Sequence, residues 1–224
     1  MDTSRFAAGL PGLFDDYPRS ERPRDRRFAD LVEGIPNLAT ENTLAVIGLA
    51  ASLLEPGESY VEAGTYMGAS LIAASRGGAR DLVAIDYFNF GPMTVAGRDL
   101  PAASREQLEA NLERFGVGAT ILEGDTLDVL AGGNLAGRTV GVFYYDACHE
   151  YGPQLEALRL VEPYLAAEAL VIVDDSDWDG VRAAIDDYLA GARPRATLVA
   201  DVAGAGGDQD WWWDGMAALA WTAG

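Results

Sequence analysis

The stretch Tyr60-Val61-Glu62-Ala63-Gly64-Thr65-Tyr66-Met67-Gly68 decides the fold: an apolar run ends in a carboxylate, then a glycine turn opens a helix. Gly64 and Gly68 carry no Cβ, so the backbone there can turn sharply and approach a ligand closely. A dinucleotide fingerprint reads G-x-G-x-x-G and accepts a pyrophosphate on free N–H groups. This loop lacks the middle glycine and places Glu62 before the turn. Negative charge there opposes a phosphate and suits a cationic ligand, such as an ammonium near a sulfonium. Taken alone, the stretch has a lesser competing reading as a buried strand and turn with an incidental acid.

The pattern around that stretch alternates. Thr40 reads as the N-cap of a helix with an apolar face of Leu44, Ile47, Leu49, Ala51, Leu53 and Leu54, stopped by Pro56-Gly57. Helices are expected over 69–75, 104–115, 153–165 and 181–189, and strands over 82–86, 119–122, 140–145 and 169–173. This beat implies βαβ units: an α/β, Rossmann-like, doubly wound and mostly parallel sheet. Residues 196–202 and 215–221, joined through Gly204, Gly206 and Gly207, read as a C-terminal antiparallel hairpin closing it. Before the domain at 40–224, residues 1–39 carry Arg19, Arg22, Arg24, Arg26 and Arg27 among prolines and acids. Such a segment reads as a loosely held arm, flexible or lid-forming.

Composition excludes whole classes of chemistry. A chain of 224 residues buries a full core in one domain. A formal charge of −19 opposes a nucleic-acid partner, which needs clustered positive charge. Every basic residue apart from one histidine is Arg, so Schiff-base, general-base and P-loop lysines are all excluded. The single Cys148 rules out an intrachain disulfide framework, and no export signal or membrane-length apolar run is visible, so a cytoplasmic protein without membrane contact is expected. An exposed arm and aromatic surface make a homo-oligomer an open expectation.

In an open α/β sheet, ligands sit outside the carboxyl ends of the strands, so acids at those ends carry the functional reading. Glu62 and Asp86 end the first two strands, and Asp86 stands at the separation suited to a ribose hydroxyl; Tyr87 behind it can stack on a cofactor ring. Gly124-Asp125-Thr126 forms a short polar turn fit for an adenine edge. Asp146, Asp174 and Asp175 follow neighbouring strands; three converging carboxylates raise one another's pKa unless a cation neutralises them. Oxygen ligands favour a hard divalent ion such as Mg²⁺. His149, the only histidine, stands three residues past Asp146 and titrates in the range suited to proton abstraction. Cys148 reads as a small buried residue, and of Trp211-Trp212-Trp213 at least one indole must be exposed or line a cleft.

Together these residues resemble the class I S-adenosylmethionine-dependent methyltransferases, especially the small metal-dependent O-methyltransferases of the catechol O-methyltransferase-like and antibiotic sugar-tailoring branches. The likeness runs from Thr40 to the C-terminus. It implies a cofactor loop of Glu62, Gly64, Thr65, Tyr66, Gly68 and Ser70, a ribose acid at Asp86, and an adenine-side turn at Asp125. It implies metal ligands at Asp146, Asp174 and Asp175, with Asp146 also beside the cofactor. Trp213-Asp214-Gly215 matches the group's tail. Where the catechol branch has lysine this chain has His149, as in D-x-x-H-x-Y forms, and Asp175 replaces a frequent Asn. The implied reaction is methyl transfer from S-adenosylmethionine to a small-molecule hydroxyl in secondary metabolism, with His149 as base. A metal-independent methyltransferase, a non-catalytic module of the same fold and a nicotinamide oxidoreductase are the competing readings.

Overall fold

The computed structural model describes residues 1–95, 98–192, 195–204 and 211–224. The N-terminal half holds α1 (Thr3–Gly9), α2 (Ala29–Gly34), α3 (Glu41–Ser52), β1 (Glu58–Ala63), α4 (Ala69–Gly77), β2 (Asp81–Asp86), β3 (Met93–Val95), β4 (Arg98–Leu100) and α5 (Arg105–Phe115). There follow β5 (Thr120–Glu123), α6 (Thr126–Ala131), β6 (Thr139–Tyr145), α7 (Tyr151–Val161), β7 (Leu165–Asp174), α8 (Asp179–Ala192), β8 (Ala196–Val202) and β9 (Met216–Thr222).

Seven strands form one sheet in the order β5-β2-β1-β6-β7-β9-β8. The first five are parallel, and β9 runs antiparallel to both β7 and β8. The expected doubly wound sheet with a closing hairpin is therefore present; Gly206 and Gly207 of its turn lie outside the described residues. Alternate side chains separate two cores, as a sheet covered on both faces requires. Tyr60, Ala84, Val142, Tyr144 and Ile172 pack toward the N-terminal helices, α3, α4 and α5, while Val61, Val83, Phe143, Tyr145 and Val171 face α6, α7 and α8. Strand order reverses between β1 and β6, where Ala63 pairs with both Ile85 and Tyr145. The chain leaves β1, β2 and β6 at one level there, which opens a crevice at the switch point.

Local capping sets several helix starts. Thr40 accepts the N–H of Thr43 ahead of α3, Ser104 that of Gln107 ahead of α5, and Asp125 that of Leu127 ahead of α6. The helix expected to run to Leu165 ends at Val161, because Pro163 diverts the chain into a 3-10 turn and Leu165 already opens β7.

Residues 1–39 are not a loose arm. Phe6, Leu10, Phe14, Phe28 and Leu31 are buried in the core shared with α3 and α4. Phe14 lies edge-on to Trp212, whose ring centroid is 5.2 Å away, and the Trp212 indole N–H donates to the Pro18 carbonyl at 2.6 Å. The arginines that gave the segment its polar reading point outward, Arg24 to Asp15, Arg26 to Glu41 and Arg27 to Asp25.

Candidate active site

A cavity of about 750 Å³ lies over the ends of β1, β2 and β6. Gly64 sits at its floor with φ +86, and a Cβ there would lie 1.7 Å from the Asp146 carbonyl oxygen, so only glycine fits between the two strand ends. Gly68, at φ +87, precedes α4 and would drive a Cβ to 2.7 Å from Leu108. The loop between them is held from below: the Tyr66 and Phe88 N–H groups each donate to Asp86 at 2.7 Å, one to each carboxylate oxygen. Each oxygen keeps a second lone pair for a ligand hydroxyl.

Of the residues expected at a cofactor, Gly64, Thr65, Tyr66, Ser70, Asp86 and Tyr87 line this cavity on one side. Asp125, Thr126 and Asp146 line the other. Gly68 and Gly124 shape the turns without lining it. Glu62 sits deeper. It is fully buried and absent from the cavity wall, with Tyr60 donating to one oxygen at 2.8 Å and Ser70 to the other at 2.7 Å. Burial pushes its pKa up to about 8 against those two hydrogen bonds, so at neutral pH it is largely a neutral acid holding Ser70 and not an anion facing a cation. Cys148, expected to be buried, is exposed and lines the cavity.

The strand-end acids meet beside this cavity in an altered grouping. Ligand atoms of Asp146, His149 and Asp175 lie within 4.8 Å of one another. His149 Nε2 is 3.1 Å from Asp175 Oδ2 and 3.6 Å from Asp146 Oδ1, yet it is buried with no hydrogen-bond partner among the described residues. Asp174 stands outside the group, and the Tyr144 hydroxyl donates to its Oδ2. Burial raises the pKa of Asp146, and raises that of Asp174 well above the usual range with added repulsion from Asp146 and Asp175. Burial and the Asp146 charge push Asp175 up to about 7. Burial opposes charging of His149, but Asp146, Asp175 and Asp214 outweigh it and raise its pKa. Two mutually repelling carboxylates this close, Asp146 and Asp175, are an oxygen donor pair that fits a hard divalent cation, with the imidazole nitrogen beside them.

Three features escape a reading of spacing alone. Asn37, 7% exposed, donates its amide nitrogen to the Ile35 carbonyl at 2.6 Å, while its Oδ1 has no partner among the described residues although the residue lines the cavity. The Thr65 hydroxyl, at the cavity wall, is likewise buried with no partner among them. Trp178 is half exposed, with its ring 5.1 Å from that of His149. Nothing in the sequence marks Asn37, because its orientation depends on the helix before it; Trp178, three residues past Asp175, was within reach of the strand-end argument.

The family model described as a methyltransferase domain matches residues 61–176, just over half of the chain. Comparison with curated proteins gives no match. Among similar solved structures is TomG, an O-methyltransferase of Streptomyces achromogenes involved in tomaymycin synthesis, in complex with SAM. It is 20% identical with a TM-score of 0.60, and the alignment covers 100% of both chains. CalS11, a TDP-rhamnose 3′-O-methyltransferase of calicheamicin biosynthesis, is 21% identical over 98% of this chain and 94% of its own, with a TM-score of 0.58. The Bacillus cereus O-methyltransferase bound to SAH is 14% identical over 99% and 100%, with a TM-score of 0.59.

Proposed function

The chain belongs to the methyltransferase-domain family, and from that premise we propose that it transfers a methyl group from S-adenosylmethionine to a hydroxyl of a small molecule, assisted by a divalent cation, in secondary metabolism. One observation carries the reading: the switch-point cavity runs into the Asp146–His149–Asp175 cluster through the shared Asp146. The similar structures named for calicheamicin and tomaymycin synthesis support the metabolic setting.

In this reading Asp86 receives the ribose hydroxyls, the turn at Asp125 and Thr126 borders the adenine, and Ser70, Thr65 and Asn37 Oδ1 offer polar contacts to the methionine end. Asp146 and Asp175 would hold the cation, while Asp174 is bonded to Tyr144. Two carboxylates suit Mg²⁺. A bound cation there supplies Lewis-acid chemistry that lowers the pKa of the acceptor hydroxyl. His149 Nε2, unpartnered and turned toward the same spot, accepts that proton, and Trp178 screens it from water. The sulfonium already activates the methyl group, so the chain's main contribution is alignment of acceptor and donor in a dry cleft.

Calorimetry with S-adenosylhomocysteine tests the cofactor; clear binding of NAD in its place would overturn the reading. His149→Ala tests the base. Turnover falls about a hundredfold to ten-thousandfold while S-adenosylhomocysteine and Mn²⁺ affinities stay near wild type. A parallel collapse of Mn²⁺ affinity would make His149 a ligand and sink its assignment as base.

A further inference from the structure

Beside the active-site cavity lies a second one, of about 290 Å³, lined by Glu21, Arg22, Thr40, Glu41, Arg98 and Trp213, with Val32 and Ala39 at its base. Ala39 lines both cavities, so the two adjoin at the end of the N-terminal segment. The second is also tied to the acid cluster. Trp213 precedes Asp214, whose carbonyl accepts the Asp177 N–H at 2.9 Å, and this bond pins the Trp213 turn to the loop that carries Asp175.

Charge distinguishes this cavity from its surroundings. The chain carries −19 overall, yet two arginines from separate parts of the fold line this cavity, Arg22 from the N-terminal segment and Arg98 from β4. Neither forms an ion pair or a side-chain hydrogen bond among the described residues, whereas ten other arginines do. Of the two acids in the wall, Glu41 is occupied by both its oxygens with Arg26 at 2.7 and 2.8 Å, which leaves Glu21 against two free cations. The α3 N-terminus opens onto the same space at Thr40 and Glu41, and Trp213 offers an indole wall. Unpaired arginines beside an aromatic face are suited to a planar, bidentate anion on a flat or apolar frame.

We propose that this cavity is an acceptor subsite that selects substrates bearing an anionic group, a carboxylate or a phosphoryl group, which Arg22 and Arg98 grip while the acceptor body lies along Trp213 toward the acid cluster. The inference rests on the methyltransferase reading. It makes the acceptor a bifunctional molecule: a hydroxyl at one end for the Asp146–His149 side, and a negative charge at the other.

The test titrates the full chain, saturated with S-adenosylhomocysteine, with phenyl phosphate, benzoate and neutral benzyl alcohol. At least one of the two anions binds more tightly than benzyl alcohol, and which one wins assigns the group as phosphoryl or carboxylate. Arg22→Gln and Arg98→Gln each weaken that anion by about tenfold or more, as loss of a charge-assisted hydrogen bond predicts, while benzyl alcohol and S-adenosylhomocysteine bind as before. Glu21→Gln tightens the anion by removing the opposing charge. Anions that bind no better than benzyl alcohol, or that ignore both arginine substitutions, overturn the subsite. Loss of S-adenosylhomocysteine binding in the unaltered protein instead sinks the methyltransferase reading, so the two failures are distinct.

Discussion

Glu62 shows how far burial can move a residue from the role its position promises. Its carboxyl is sealed beneath the glycine loop between Tyr60 and Ser70, and its pKa of about 8 stands above the usual 4.5. The folded protein therefore keeps a proton that the unfolded chain releases above pH 4.5. The stabilisation from that neutral form is complete below pH 4.5 and is lost as pH rises through about 8. Glu62→Gln keeps an acceptor for the Tyr60 hydroxyl and faces Ser70 with an amide N–H in place of the oxygen that Ser70 donates to, but cannot titrate. The variant should gain stability relative to wild type between pH 5 and pH 8.5, by on the order of a few kcal/mol. Paired urea titrations at the two pH values measure it, and because Asp146, Asp174 and Asp175 titrate in both proteins, the difference isolates Glu62. A constant gap between the curves would show that Glu62 is ionised throughout. Asn37 yields a second expectation from its unpartnered Oδ1: Asn37→Ala weakens S-adenosylhomocysteine several-fold with no loss of Mn²⁺ affinity, both read by calorimetry.

At the level of elements, the N-terminal segment matters through the wall it builds. Asn37, Leu38 and Ala39 line the cavity just past α2, with Asn37 tied back to the Ile35 carbonyl, and earlier in the same segment Phe14 and Tyr17 pack ring to ring with Trp212. Trp212→Ala removes a fully buried indole and its bond to Pro18, and should cost about 3–5 kcal/mol in denaturant unfolding. Trp212→Phe keeps the edge contact with Phe14 and should lose about 1 kcal/mol, mainly the hydrogen bond. If Trp212→Ala unfolded at the wild-type midpoint, the segment would not be docked as described. This part of the molecule was the least legible in the sequence. Prolines and arginines masked Phe6, Leu10 and Phe14, whose partners lie in α3 and α4 and, for Phe14, also at Trp212 near the far end of the chain. The parallel sheet, by contrast, followed from local signals: Thr40 and Ser104 as caps, and runs such as Val140 to Tyr145 too apolar for any exposed face. The carboxylates were legible as strand ends, but which of them meet was not. Asp174 bonds the Tyr144 hydroxyl and stays out of the cluster, a pairing that depends on how β6 lies between its two neighbours. The short β3–β4 hairpin, which carries Arg98, is too brief to leave a periodic pattern.

Across the whole molecule two electrostatic effects act on stability, and salt separates them. A net charge of −19 sets up self-repulsion that monovalent salt screens, whereas the ion pairs, such as Arg24–Asp15 and Arg105–Glu109, are largely exposed and individually weak. Repulsion should win, so the melting temperature rises as NaCl goes from about 10 mM to about 300 mM, with most of the gain complete once the Debye length falls below about 10 Å. The Asp146–Asp175 site adds a different term. A cation that binds only the folded state stabilises it according to its occupancy, by about 2.7 kcal/mol at a hundred times its dissociation constant, and this is independent of general screening. Millimolar Mg²⁺ or Mn²⁺, compared at matched ionic strength with NaCl, should therefore raise the melting temperature beyond the NaCl curve. Asp175→Asn should remove that excess and leave the NaCl response intact, because one charge among so many hardly alters the overall field. Scanning calorimetry of the two proteins under the four conditions reads both effects. Equal responses to divalent and monovalent salt in the unaltered protein would mean that the cluster holds no cation, and the acceptor's proton would then pass to His149 without metal assistance.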